Sequence, residues 1–192
     1  MNSKSIILAA LTLGAAGLAQ AQNVVYITGS TAMRANTYNA LATTALFDAV
    51  PTITTRDGSS ASGANYMTFS NTVSGSPYIV KCHWSGSEAG FKDIALTPQS
   101  QNFLLDSVVP GHVNVVPTGA ELVAATVDLA MADNDQRFSR YKSPAVGAKA
   151  AVGIIPFTWV RNPSTLWSSS VSNNITDPQI RQILNGAAKL AL

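Results

Sequence analysis

The feature that most constrains the fold is the stretch of residues 24–46. A β-branched run that starts at Val24 ends at Gly29, and an alanine-rich segment with leucines at helical spacing follows. Ser30 or Thr31 is suited to cap this helix, because its side-chain oxygen can accept from a free backbone N–H of the first turn. Free N–H groups, a hydroxyl and the positive end of a helix dipole therefore converge after the strand. Such a turn is suited to bind an anion.

The N-terminal residues are typical of an export signal. Lys4 precedes an apolar run over residues 6–18, and residues 19–21 read Ala-Gln-Ala, a small-residue cleavage pattern. The apolar run is too short to span a bilayer comfortably, and no cysteine follows it to accept a lipid. We therefore expect residues 1–21 to be a cleaved signal peptide. The mature protein, starting at Gln22, is expected to be periplasmic or secreted and not a lipoprotein.

The composition argues against several kinds of partner and site. Only 11% of the residues are charged, with a net charge of +2, and the basic residues form no run interleaved with aromatics, so we expect no nucleic-acid partner. Cys82 is the single cysteine, which excludes an intrachain disulfide, and its β-rich surroundings predict a buried structural thiol. His83 and His112 lack the spacing of metal ligands, and we expect no metal or other cofactor.

The first half of the mature chain is predicted to form a helix, a polar surface loop, a β-hairpin and a second short helix. In chain order these elements cover residues 31–48, 52–65, 66–84 and 88–96. The loop is predicted from its glycine and serine content, and the hairpin from two β-rich runs around residues 74–77. The second helix follows Ser85-Gly86-Ser87, so the strand, hydroxyl-bearing turn and helix of the opening stretch recur.

The second half is predicted to continue the alternation of strands and helices. Its predicted elements are a strand at residues 112–116, a helix at 118–125, a buried strand at 127–132 and a last helix at 176–184. Alternating strands and helices indicate an α/β fold with a largely parallel sheet flanked by helices. Ligands of such sheets bind at the carboxyl ends of the strands, where Ser30, Ser87 and Asp133 are all expected. The sequence therefore predicts one site built from three separated loops.

Four segments in this order resemble the periplasmic phosphate-binding proteins of ABC transporters. The segments are Ile27–Thr31, Gly86–Ile94, Val127–Asp133 and Ile175–Gly186. That family consists of two-lobed type II periplasmic binding proteins that close on phosphate. The resemblance implies a first lobe over residues 22–156, with a mostly parallel sheet flanked by helices. It also implies that residues 157–192 are the crossover and the start of a truncated second lobe, so that the chain is the N-terminal part of a longer protein.

The resemblance also implies a site and a role. The hydroxyl of Ser30 or Thr31, the hydroxyl of Ser87 and the carboxylate of Asp133 fall on the family's phosphate contacts. The implied protein is a monomeric, non-enzymatic binding protein that captures inorganic phosphate, or a similar oxyanion, for an ABC transporter permease. Glu88 departs from the family, which usually has a small residue there. A carboxylate beside an anion repels it unless the side chain points away.

The sequence has features that bear on two other classes of protein. A secreted or cell-surface protein with the same fold and no tight anion binding is the alternative, favoured by Glu88 and by the missing glycines of the first loop. An enzyme is disfavoured, because the turn at Gly29 lacks the second and third glycines of a dinucleotide-binding loop. The serine at position 87 is not a nucleophile elbow either, since Ser85 stands where that motif needs glycine.

Overall fold

The computed structural model describes residues 22–96 and 99–151. Strands β1 to β8 cover, in chain order, Asn23–Gly29, Thr52–Arg56, Tyr66–Val73, Ser76–His83, Ser100–Leu104, Gly111–Val113, Leu122–Thr126 and Leu129–Met131. Helices α1 and α2 cover Arg34–Leu41 and Ser87–Ala95, and single 3-10 turns lie at Thr31–Met33, Ala61–Gly63, Gly119–Glu121 and Gln136–Phe138. The predicted signal peptide, the helix at 176–184 and the segment 157–192 lie outside the described residues.

Six of the strands form one mixed sheet with the order β6-β2-β3-β4-β1-β8. β1 runs parallel to both β4 and β8, and β2 runs parallel to β6. β3 is antiparallel to both of its neighbours, so it alone points the other way. β5 and β7 form a separate antiparallel pair. The predicted α/β character is confirmed, with a six-stranded sheet that is mixed and largely parallel, but the described residues contain only two short α-helices beside it.

The two faces of the sheet differ in chemistry because successive strand side chains alternate between them. One face is apolar, with Ile27, Met67, Phe69 and Cys82 all buried. Tyr38 of α1 packs edge-on against Phe69, with 5.7 Å between the ring centroids. The predicted buried thiol at Cys82 is confirmed, and burial raises its pKa.

The opposite face carries polar residues that are tied to the β5–β7 pair. Lys81 is only 3% exposed, and its ammonium group donates to the carbonyl oxygen of Leu104 at 2.6 Å. The same ammonium pairs with the Asp106 carboxylate at 2.7 Å. Tyr26 packs against Phe103 of β5, with the ring centroids 4.8 Å apart. A buried lysine is tolerated here because its charge is paired and hydrogen-bonded.

Two sequence predictions are wrong in the type of element. The polar run at 52–65 begins with strand β2, in which Thr54, Thr55 and Arg56 are buried. Its threonines are β-branched and favour strand, and the Arg56 guanidinium donates to three backbone carbonyls. The predicted helix at 118–125 is a 3-10 turn followed by β7, because pairing with β5 overrides the helical propensity of alanine and leucine.

Other predictions hold with different limits. The hairpin at 66–84 and the helix at 88–96 are confirmed as β3–β4 and α2. The first helix ends at Leu41 and not at residue 48; the Thr43 hydroxyl bonds to local backbone groups and so competes with the helical ladder. The strands predicted at 112–116 and 127–132 are shorter, and Leu129 is 53% exposed because β8 lies at a sheet edge.

Gly29 lets three elements meet at the end of β1. Its φ of +124° lies in a region that favours glycine, and an added Cβ would lie 1.9 Å from the carbonyl oxygen of Met131. Gly90 of α2 lies on the other side of this point, where an added Cβ would be 3.0 Å from the Gly29 Cα. The strand end, β8 and α2 can therefore approach closely only because both residues lack a side chain.

Replacing Gly29 by alanine should strongly destabilise the fold. The substitution combines an unfavourable φ with an overlap against backbone that cannot move aside, and we expect a loss of about 3 kcal/mol or more in the free energy of unfolding. Gly119→Ala is the matched control, because nothing lies within 4 Å of its added Cβ. Urea denaturation measures both variants. Equal unfolding midpoints for the two would contradict the close approach at Gly29.

Candidate functional site

Three loops meet at the edge of the sheet where β1, β4 and β8 end. These strands are adjacent and parallel, so their carboxyl ends lie side by side. β1 leads into Ser30, β4 leads through residues 84–86 into Ser87 at the start of α2, and β8 leads into Asp133. The three loops expected from the sequence are therefore brought together.

The side chains of these loops form one hydrogen-bonded unit, the Ser–Asp–Ser cluster of Ser30, Asp133 and Ser87. The Ser30 hydroxyl donates to Asp133 Oδ2 at 2.9 Å, and the Ser87 hydroxyl donates to Asp133 Oδ1 at 2.5 Å. The backbone N–H of Asp133 donates to Ser87 Oγ at 3.2 Å. Each carboxylate oxygen thus holds one hydroxyl, and the carboxylate joins two loops that are far apart in sequence.

Backbone hydrogen bonds fix the three loops below the cluster. The N–H of Ser30 donates to the Met131 carbonyl at 2.7 Å, and the N–H of Gly86 donates to the Gly29 carbonyl at 2.8 Å. Gly86 has a φ of +100°, a conformation that glycine adopts readily and that turns the chain from β4 into α2. The positions of the two serines are therefore set by main-chain contacts as well as by Asp133.

Ser30 and Thr31, which the sequence left as alternatives, have different surroundings. Ser30 is 3% exposed, and its Oγ accepts from the N–H of Ala32 at 3.2 Å in addition to donating to Asp133. Thr31 is exposed, and its carbonyl oxygen accepts from Arg34 Nε at 3.0 Å. Only Ser30 of the two therefore belongs to the cluster.

The first turn of α2 presents backbone donors beside the cluster. The first bond of the helix runs from the N–H of Gly90 to the carbonyl of Gly86 at 3.0 Å. The N–H groups of Ser87, Glu88 and Ala89 have no acceptor in the part of the chain that the structure describes. Such donors are left over at every helix start, and the helix dipole makes this end favourable for negative charge.

Glu88 points away from the cluster, into the segment that follows Asp133. Its Oε2 accepts from the Ser139 hydroxyl at 2.8 Å and from the N–H of Arg140 at 3.3 Å, and Asn134 lies 3.4 Å from its Oε1. The carboxylate is thus occupied in holding residues 134–140 against α2. Glu88 therefore has a structural role that does not depend on a ligand.

A second polar layer, which sequence reasoning missed, lies beneath the cluster. Thr28 is fully buried, and its hydroxyl lies 3.3 Å from Ser85 Oγ and 3.4 Å from an oxygen of Asp93. Gln101 of β5 donates to the same Asp93 oxygen at 3.1 Å. The available signal was that Thr28 and Ser85 lie two residues before Ser30 and Ser87. In an extended chain, residues two apart point to the same side, so Thr28 and Ser85 can lie together just as Ser30 and Ser87 do.

Hydrogen bonds from the two serines lower the pKa of the Asp133 carboxyl. Burial raises the pKa, but hydrogen bonds from Ser87, from Ser30 and from the residue's own N–H outweigh it, so the pKa lies below its usual value. A depressed carboxyl pKa stabilises the fold above the unfolded-state pKa, and this contribution is lost as the pH falls through the folded-state value. The cluster therefore stabilises the fold at neutral pH and less in acid.

Comparison with protein-family models, curated proteins and solved structures gives no match. Within residues 22–96 and 99–151, no group of three or more His, Cys, Asp or Glu side chains is placed to hold a metal ion. A search of the same residues for a helix with the length and apolar character of a membrane span finds none.

Ser87→Ala should raise the pKa of Asp133 toward its usual value, because the variant removes one of the hydrogen bonds that lower it. Thr31→Ala is the matched control, since its hydroxyl has no bond to this carboxylate among the described contacts. An NMR titration of the Asp133 carboxyl carbon measures both. A pKa that is unchanged by Ser87→Ala would show that this hydroxyl does not stabilise the charged carboxylate.

Proposed function

We propose that this chain is an exported binding protein that captures inorganic phosphate, or a similar oxyanion, for an ABC transporter permease. The observation that carries the proposal is the convergence of Ser30, Ser87 and Asp133 on one point next to a helix start. Two hydroxyls, unpaired backbone N–H groups and one carboxylate suit an anion that still carries a proton. In this proposal the chain catalyses no reaction and uses no cofactor.

Capture requires an exchange of hydrogen bonds. In the present structure both hydroxyls donate to Asp133. The two hydroxyls would turn to donate to oxygens of the arriving anion, and the N–H groups of Ser87, Glu88 and Ala89 would add further donors. Asp133 would then need a new hydrogen-bond donor, because a carboxylate and an anion repel each other unless one of them carries a proton that they can share. Hydrogen phosphate brings that proton.

The orientation of Glu88 supports the proposal. Its charge lies at the first turn of α2, where an inward-pointing carboxylate would compete with the anion for the same donors. It is instead bound to Ser139 and the N–H of Arg140. The repulsion expected from the sequence is reduced by this arrangement.

One observation favours the alternative, a secreted or cell-surface protein without tight anion binding. The Ser–Asp–Ser cluster is satisfied without a ligand, because Asp133 already accepts from both hydroxyls and the N–H of Ala32 donates to Ser30. In the alternative, Asp133 acts as a permanent clasp between two loops. The two functions differ in whether the hydroxyls change partners when phosphate is added.

Titration calorimetry with inorganic phosphate, and with sulfate as the control anion, separates the two functions. The proposal predicts saturable binding of phosphate that exceeds the binding of sulfate at neutral pH. Absence of heat with either anion, together with an unchanged melting temperature in phosphate, would favour the clasp.

Ser87→Ala should weaken phosphate binding about ten- to a hundredfold. A hydroxyl that donates to a charged group contributes about 1.5–3 kcal/mol, and the backbone donors of α2 remain in the variant. Ser59→Ala, in an exposed loop, serves as the control and should bind like the wild type. Equal affinity in the Ser87 and Ser59 variants would remove Ser87 from the site.

Asp133→Asn should reduce the preference for phosphate over sulfate. The wild-type carboxylate can accept only from an anion that carries a proton, whereas the amide can also donate to a fully ionised oxyanion. The affinities of the wild type and of Asp133→Asn for phosphate and for sulfate are measured in one calorimetric series. If wild type and variant discriminate equally, the carboxylate does not select the protonated anion.

A further inference from the structure

Positive charge is concentrated in one segment, residues 136–149, which we name the basic loop. It carries four basic residues and no acidic one, which gives a charge of +4. The other described residues carry four basic and nine acidic side chains, which gives −5. The basic residues of the loop are Arg137, Arg140, Lys142 and Lys149, and all four are exposed. The described part of the chain therefore carries its excess positive charge in one exposed segment, while the other described residues have a net negative charge.

The basic loop also presents an apolar side chain to solvent. Phe138 is 83% exposed, the largest value among the exposed large hydrophobic residues in the described part of the chain. The guanidinium of Arg137 lies 5.9 Å from the Phe138 ring centroid, and that of Arg140 lies 5.6 Å from the ring of Tyr141. Aromatic rings and cations are thus interleaved along the loop, and the prediction that the basic residues form no such run is wrong at residues 137–142.

The loop is ordered by a buried glutamine. Gln136 is 3% exposed, and its side-chain amide donates to the carbonyls of Tyr141 and Pro144, both at 2.9 Å. Its Oε1 accepts from the N–H of Val146 at 3.0 Å. Glu88 holds the loop to α2 through Ser139. The exposed position of Phe138 is therefore built into the fold, and little ordering of the loop would be needed on binding.

We propose that the basic loop binds the surface of an anionic lipid bilayer, with Phe138 entering the headgroup region. Cations beside an exposed aromatic are a combination that anchors peripheral proteins to anionic lipid. A fluid lipid surface accepts an exposed aromatic side chain without a matching pocket. Lysine, which supplies two of the four cations, is depleted at protein–protein interfaces but effective near anionic lipid headgroups. Arg137 is partly neutralised by Asp135 at 3.1 Å, and the other three cations have no ion-pair partner among the described residues.

Cosedimentation of the full chain with vesicles tests this proposal. One set of vesicles contains phosphatidylcholine alone, and the other contains phosphatidylcholine mixed with phosphatidylglycerol. The measured quantity is the binding to the anionic vesicles minus the binding to the neutral vesicles. This difference removes the contribution of apolar segments elsewhere in the chain, which bind both sets alike. Raising the salt from about 0.1 M to about 1 M shortens the Debye length from about 10 Å to about 3 Å and should abolish most of that excess.

Two loop variants and two controls identify the surface that binds. Removing two cations together, Arg140→Gln with Lys142→Gln, should lower the excess partitioning about twenty-five-fold, since each cation contributes about fivefold. Phe138→Ser should lower it about tenfold. The matched controls Lys92→Gln and Val109→Ser remove an exposed cation and an exposed apolar side chain elsewhere, and should change it little.

Three results would overturn the proposal. The first is equal binding of the wild type to neutral and anionic vesicles. The second is a loss of binding in the controls as large as in the loop variants. The third is displacement by millimolar inorganic phosphate, which would show that the loop recognises a free anion and not a bilayer surface.

Discussion

The close approach of strand β1, strand β8 and helix α2 at two glycines is the constraint on which the site depends. Gly29 allows the carbonyl oxygen of Met131 to occupy the space of a side chain, and Gly90 allows α2 to lie against the strand end. This contact places the first turn of α2, and with it Ser87, within hydrogen-bond distance of Asp133. The Ser–Asp–Ser cluster therefore depends on this backbone packing as well as on the chemistry of its side chains.

The cluster is compatible with two functions, which differ in the acceptor to which the Ser30 and Ser87 hydroxyls donate. As a clasp, Asp133 keeps both serine hydroxyls and lowers its own pKa through them. As a binding site, it gives up both hydrogen bonds, the two hydroxyls donate to the anion instead, and Asp133 accepts a hydrogen bond from the anion's own hydroxyl. The polar layer of Thr28, Ser85 and Asp93 supports either use, because it holds the same loops from below. Glu88 likewise stabilises the segment after Asp133 in both cases.

The site was more predictable from the sequence than the outer parts of the fold. Ser30, Ser87 and Asp133 each follow a strand that belongs to the parallel part of the sheet, and parallel strands bring their carboxyl ends together by geometry alone. Strand β7 could not be predicted, because its alanines favour helix and only pairing with β5 makes them a strand. The sequence does not distinguish Ser30 from Thr31, since both hydroxyls suit a helix cap and only the fold buries Ser30 beside Asp133. The second polar layer was missed because burial of Thr28 depends on α2 packing over it.

The most direct test of the anion site is an NMR titration of the backbone amides with inorganic phosphate. Binding at the start of α2 predicts saturable shifts at the N–H groups of Ser87, Glu88 and Ala89, accompanied by a shift of the Asp133 carboxyl carbon as its two hydroxyl donors leave. Unchanged signals at these positions, or shifts confined to the basic loop, would contradict the account and leave Asp133 as a structural clasp.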